Sequence, residues 1–127
     1  MKRTIKPTDA ELDILRVLWE FGPGTVRQIH EHMPEKPARG YTTILKLLQI
    51  MCEKSLVERD EKQRAHIYRA AVSAEQVQGN LLKHLMDKAF DNSSYKLVMQ
   101  ALAARPASSQ ELAEIRRLLD EIEGESK

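Results

Sequence analysis

The chain holds a single cysteine, Cys52, among its 127 residues. No intrachain disulfide can form, and nothing asks for an oxidising compartment. Aromatic residues reach only 5%, which leaves any core mainly aliphatic. No apolar run approaches the ~18 residues that a membrane-spanning helix needs. The start, Met1-Lys2-Arg3-Thr4-Ile5-Lys6-Pro7, is a short basic lead with no apolar stretch behind it, so it does not read as a signal peptide. The expected location is the cytoplasm. There is no glycine-rich phosphate loop, internal repeat or low-complexity tract, and no Ser/His/Asp set has a recognisable local context. His30 and His32 stand two apart on a predicted helix, hence on different faces, and have no cysteine pair nearby, which argues against a metal. His66 alternates with Ala65 and Ile67 on a predicted strand, and His84 lies on the outer side of its helix. Cys52 flanks an apolar face and reads as a partly buried, inert thiol. The expectation is a protein that is not an enzyme, with no cofactor, metal or small-molecule substrate.

Neither sign of charge dominates. The formal net charge is +1, with 31% charged and 42% hydrophobic residues, as in a soluble domain with a modest core. The distribution says more. Residues 1–70 carry 13 Lys/Arg and 10 Asp/Glu, whereas residues 71–127 carry 7 and 9. The basic excess therefore lies in the first part of the chain.

Four capping boxes punctuate what is present. Thr8-Asp9-Ala10-Glu11 opens a helix with Ala10, Ile14, Leu15, Leu18 and Trp19 at helical spacing, stopped by Phe21-Gly22-Pro23-Gly24. Trp19 on that apolar face reads as core. Thr25-Val26-Arg27-Gln28 opens a short second helix through His32, with Val26, Ile29 and Met33 inward. A two-proline loop, Pro34–Gly40, leads to the helix 41–54. There Ile44, Leu47, Leu48 and Met51 form a buried face, and Thr42, Lys46, Gln49 and Glu53 project from the other. Ser55–Asp60 reads as a strand, Glu61-Lys62-Gln63 as a turn, and Arg64–Arg69 as the return strand. Two helices, a third and a basic hairpin make a winged helix-turn-helix.

The remainder reads as three helices. Ser73-Ala74-Glu75-Gln76 caps one bearing Val77, Leu81, Leu82, Leu85, Met86, Ala89 and Phe90, which Gly79 weakens by about 1 kcal/mol. Asp91-Asn92-Ser93-Ser94 breaks it. Leu97, Val98, Ala101 and Leu102 carry the next, which stops near Arg105-Pro106. Ser108-Ser109-Gln110-Glu111 caps the last, with Leu112, Ile115, Leu118, Leu119 and Ile122, before a frayed end at Gly124–Lys127. These stripes exceed what a detached tail could bury on itself. The expected fold is mainly α with a small β-hairpin, divided as residues 1–71, a winged helix-turn-helix, and residues 72–127, a helical dimerisation region. Leu81, Leu82, Leu85, Leu97, Leu102, Leu112, Ile115, Leu118 and Leu119 are the expected dimer contacts, since a groove reader gains a second half-site by a two-fold.

The helix 41–54 has the size of a major-groove reader. Thr42 and Thr43 can donate to bases or meet a thymine methyl, Lys46 suits guanine O6/N7, and Gln49 suits an adenine edge. Arg39 and Tyr41 at the helix entrance, with Lys62 and Arg64 at the wing tip, are candidate phosphate contacts. Glu58, Asp60 and Glu61 oppose phosphate, so a small wing contribution is expected. The partner this implies is double-stranded DNA bearing an inverted repeat, held by a homodimer. The near-neutral total charge keeps open a second class, a winged-helix protein-interaction module that does not touch DNA.

Pro7-Thr8-Asp9-Ala10-Glu11-Leu12-Asp13-Ile14-Leu15 through Leu18-Trp19, then Gly40-Tyr41-Thr42-Thr43-Ile44, Leu47-Leu48 and Glu53-Lys54-Ser55-Leu56-Val57-Glu58-Arg59, resemble the penicillinase-repressor family over nearly the whole chain. The resemblance implies a winged-helix half on a dyad operator, an intertwined homodimer through the C-terminal helices, and base contacts at Thr42, Thr43 and Lys46. It further implies a membrane sensor-protease as partner, cutting the helix before the last one. The pair matching the family's Asn-Phe cleavage site is Gln100-Ala101. Ile50 stands where the family often has arginine, so the operator sequence need not match. The copper-responsive relatives carry a C-terminal cysteine cluster, which this chain does not have.

Overall fold

The computed structural model describes residues 6–125. Most of the basic lead, and Ser126-Lys127 of the expected frayed end, lie outside them. The elements run α1 (Asp9–Phe21), α2 (Val26–Glu31), α3 (Tyr41–Glu53), β1 (Val57–Asp60), β2 (Ile67–Ala70), α4 (Ala74–Ala89), α5 (Ser94–Ala104) and α6 (Ser109–Glu125). The fold is mostly helical with one antiparallel hairpin, of winged-helix type. The chain separates into two compact units, Met1–Lys83 and His84–Lys127, so the division falls inside α4.

In the first unit the apolar stripes of three helices close on one another. Ile14, Leu15, Val17 and Leu18 of α1, Val26 and Ile29 of α2, and Ile44, Leu48 and Met51 of α3 are all buried, with Leu56, Val57, Tyr68 and Val77 completing the core. All three capping boxes expected here form, that of Ser73 and Gln76 among them. Thr8 Oγ1 accepts from the Glu11 amide at 3.2 Å while the Glu11 carboxylate accepts from the Thr8 amide at 2.9 Å, and Thr25 and Gln28 repeat the pattern. Gly22 ends α1 at φ 86°, a conformation that costs a residue with a Cβ. Trp19 is half-buried against the core, and its Nε1–H donates to the Val72 carbonyl at 2.9 Å.

The end of α3 is a Schellman turn. Lys54 is the cap, Ser55 follows in the left-handed region at φ 64°, the Ser55 amide donates to the Cys52 carbonyl at 3.1 Å, and the Leu56 amide donates to that of Met51 at 2.9 Å. Leu56 and Met51 are both buried, the apolar contact that accompanies such a turn. Glycine normally fills the left-handed position; here a serine does.

The hairpin differs from its expected outline. Strand β1 begins at Val57, strand β2 is Ile67–Ala70, and the register pairs Val57 with Ala70 and Asp60 with Ile67. The connection is therefore Glu61–His66, longer than a three-residue turn, and Arg64 and His66 lie in it rather than on a strand. The cause is local. The Asp60 carboxylate accepts from the Lys62 amide at 2.9 Å, curling the chain away from the ladder as soon as β1 ends. Tyr68 is at the centre of the sheet. Its amide and carbonyl also exchange hydrogen bonds with Gly24, at 2.8 and 3.0 Å, so the α1–α2 connection contributes a one-residue third strand.

In the second unit the helices are as clearly delimited but no residue of α5 or α6 is buried. Asp91 and Asn92 leave α4 through positive φ, and Ser93, expected as part of a breaker, caps α5 by accepting from the Lys96 amide at 3.2 Å. Ser108 and Glu111 form the expected capping box of α6. Gly124 lies inside α6, which extends to Glu125 instead of fraying at that glycine. No helix among the described residues is long and apolar enough to cross a membrane.

Candidate nucleic-acid interface

Helix α3 has two faces of opposite character. Ile44, Leu48 and Met51 are each fully buried, and the helix rests on α1, α2 and β1. Thr42, Thr43, Lys46, Gln49 and Glu53 are exposed. Thr42, Lys46, Gln49 and Glu53 follow at intervals of four, three and four, which aligns them along one side. Tyr41 is half exposed at the first turn, and Ile50 is 36% exposed beside the polar strip. Lys46 has no ion-pair partner among the described residues.

The start of α3 is unlike the others. Side chains of Thr8, Thr25, Ser73, Ser93 and Ser108 cap the other five helices. The cap of α3 is Gly40, which offers no side-chain bond. The first-turn amides of this 13-residue helix are thus left to an outside acceptor.

Arg39, grouped with Tyr41 by sequence, is placed differently. Its guanidinium donates to the Asp13 carboxylate at 2.9 Å with its side chain only 15% exposed. Its carbonyl accepts from His30 Nε2 at 2.8 Å. The wing tip carries Lys62 and Arg64, both exposed. Glu58 pairs with Arg69 directly across the ladder at 2.8 Å, and Glu61 pairs with Arg59. A hydrogen bond with Tyr68, and then the Glu61 carboxylate, hold the Arg59 pKa above its ordinary value. The two glutamates that oppose phosphate in the sequence are therefore matched by the wing's own arginines, each pair exposed and weak.

Glu11 and Lys54 are supports that patterns of spacing do not reveal. Lys54 Nζ donates to both carboxylate oxygens of Glu11 at 2.9 Å, and the Glu11 side chain is 2% exposed. Burial opposes ionisation of Glu11, but the Lys54 ammonium, with the Thr8 amide, outweighs it and brings the pKa below its ordinary value. The capping box marks Glu11 in the sequence; nothing there marks its second bond, 43 residues away. Burial pushes the Cys52 thiol up, against the attraction of Arg59, so the thiolate is scarce. No group of three or more His, Cys, Asp or Glu among the described residues could hold a metal.

A three-helix core, a hairpin wing and a third helix with its polar face outward define a winged-helix regulator. The family model described as penicillinase repressor matches residues 7–121, and the chain belongs to that family. It is 28% identical over 124 residues to the transcriptional regulator BlaI of Mycobacterium tuberculosis, in both strain CDC 1551 / Oshkosh and strain ATCC 25618 / H37Rv, an alignment covering 97% of this chain and 89% of the relative. Among solved structures, a CopR repressor is 22% identical with a TM-score of 0.46, over 56% of this chain and 100% of that one.

Proposed function

We propose that the protein is a homodimeric transcriptional repressor that sets α3 into the major groove of an inverted-repeat operator. The observation that carries this is α3 itself: one face is sealed in the core, while two hydroxyls, an ammonium and an amide are exposed. Thr42 and Thr43 read bases from the first turn, Lys46 takes guanine O6/N7, and Gln49 takes an adenine edge. The uncapped amides of α3, Tyr41, and Lys62 and Arg64 of the wing take phosphates. Residues 1–71 do the reading and residues 72–127 the pairing, with the first turns of α4 lent to the core through Val77, which is 5% exposed. Leu82, Leu85, Leu118 and Leu119, between 44% and 54% exposed, are the apolar surface a second copy would cover, together with Leu81, Leu97, Leu102, Leu112 and Ile115. A membrane sensor-protease is a further proposed partner, acting at or near Gln100-Ala101, which are exposed on α5. That pair departs from the family's Asn-Phe, so cleavage calls for a different side-chain preference.

The test is selection of binders from a randomised duplex library, then anisotropy titration of the best duplex at several salt concentrations. The expected result is an inverted repeat whose affinity falls steeply with salt. Lys46→Ala should weaken it about tenfold, as loss of one base contact does, and leave the dimer intact. No enrichment at low salt, from folded dimeric protein, would replace this reading with a winged-helix protein-interaction module.

A further inference from the structure

Arg39 stands immediately before the cap of α3 and is gripped from two sides. Its side chain is tied to α1 through Asp13 at 2.9 Å, and its carbonyl is tied to α2 through His30 Nε2 at 2.8 Å. The His30 ring in turn meets the edge of Tyr41, with ring centroids 6.5 Å apart. The next residue, Gly40, has no side chain to hold its place, and nothing lies within 4 Å of where a Cβ would be. The backbone course into the first turn of α3 is therefore set at Arg39. At the far end Lys54, the cap residue, is bound by Glu11. Two acidic residues near the start of α1 thus fasten both ends of the same helix.

We infer that Asp13 and Arg39 form a positioning pair that fixes the angle and depth at which the first turn of α3 presents Thr42 and Thr43, and that Arg39 makes no phosphate contact of its own. The inference rests on α3 being the reader. Its physical basis is that a guanidinium 15% exposed already spends a charge-assisted bond on a carboxylate 25% exposed. With Nη1 bound to Asp13 and the side chain this little exposed, its remaining N–H groups have little surface on which to meet a phosphate. A base contact tolerates little displacement, so loosening the support costs specific binding more than it costs attraction to DNA in general.

The experiment compares the full-length protein with Asp13→Asn, Arg39→Met, Arg39→Lys and the Asp13→Asn/Arg39→Met double variant. Each is titrated against the duplex selected by the parent protein and against a scrambled duplex, at four salt concentrations, after circular dichroism shows it folded. A positioning pair predicts that either single change weakens the selected duplex about tenfold with little effect on the scrambled one, and that the double change is no worse than a single one because the two act as a unit. It predicts an unchanged slope of log affinity against log salt, and partial rescue by Arg39→Lys. A direct phosphate contact predicts otherwise: Arg39→Met would weaken both duplexes alike and reduce the slope by about 0.9, while Asp13→Asn would leave binding unchanged or strengthen it. That second pattern would overturn the inference and leave the repressor reading intact. Failure of the parent protein to select any duplex would overturn the repressor reading itself.

Discussion

Helices α1 and α6 are built alike in sequence: each opens on a Ser/Thr-x-x-Glu capping box and carries aliphatic residues at three- and four-residue spacing. Their fates differ. Ile14 and Leu15 of α1 are fully buried, whereas Leu118 and Leu119 of α6 are more than half exposed and α6 has no buried residue. Caps and periodicity specify that a helix forms and which face is apolar; they do not specify what covers that face. In the first unit the cover is local, supplied by α2, α3 and the hairpin. In the second, no residue of α5 or α6 is buried, which is why pairing with a second copy is proposed there and not for the winged unit.

The sharpest way to break this contrast is a matched pair of truncations. Leu48→Ala in the closed core should cost about 3–4 kcal/mol in chemical denaturation, the range for an aliphatic side chain removed from a packed site. Leu118→Ala should cost about 0.5 kcal/mol or less in dilute protein, but more as concentration rises, because the proposed dimer would contribute to stability by mass action. A concentration-independent cost equal to that of Leu48→Ala would show that α6 is buried within its own chain.

Lys54→Met tests the winged unit alone. It strands the Glu11 carboxylate in the core, and should cost about 3 kcal/mol near neutral pH. The sign of its pH dependence follows from the lowered pKa of Glu11. In the parent protein the stabilisation is fully present above the ordinary carboxyl value of 4.5 and is lost as pH falls through the lower folded value. In the variant burial of Glu11 is no longer opposed by Lys54 and the penalty is relieved by protonation, so the gap between the two proteins should begin to narrow above that ordinary value and go on narrowing as pH falls through the parent's lower one. A gap that stays constant from neutral to acid pH would assign the loss to packing of the lysine stem instead.

A smaller effect than that of Lys54→Met has the opposite sign. Ser55→Gly relieves a left-handed residue in a turn whose hydrogen bonds are main-chain only, and should raise the stability of the winged unit by about 1 kcal/mol. The same change at Asn92, also at positive φ, should gain only a few tenths of that, since asparagine tolerates the conformation. Equal gains at the two positions would remove the distinction.

Much of this architecture is legible in the residues. The four capping boxes, the stop at Gly22-Pro23-Gly24 and the inward positions of α3 are encoded within a few residues of where they act. What spacing does not carry is contact between distant segments: Glu11 with Lys54, Asp13 with Arg39, the Trp19 indole with the Val72 carbonyl, and Gly24 with Tyr68. Arg39 shows the cost most clearly. By position it belongs with the candidate phosphate contacts, and nothing in the spacing signals its bond to Asp13. The wing departs from its expected outline for a local reason, because the Asx turn at Asp60 lengthens the connection without altering the alternation around it.

That turn and the Gly24–Tyr68 bridge together divide the wing into a fixed root and a tip of adjustable length. The root is clamped on both edges of β2, while Glu61–His66 is exposed throughout and contributes no core side chain. Doubling a flexible loop of this kind adds only about 0.6 kcal/mol of closure entropy. The tip is accordingly the place in the winged unit where an epitope, a spin label or a longer basic segment can be grafted, changing how far the wing extends while α3 stays where it is.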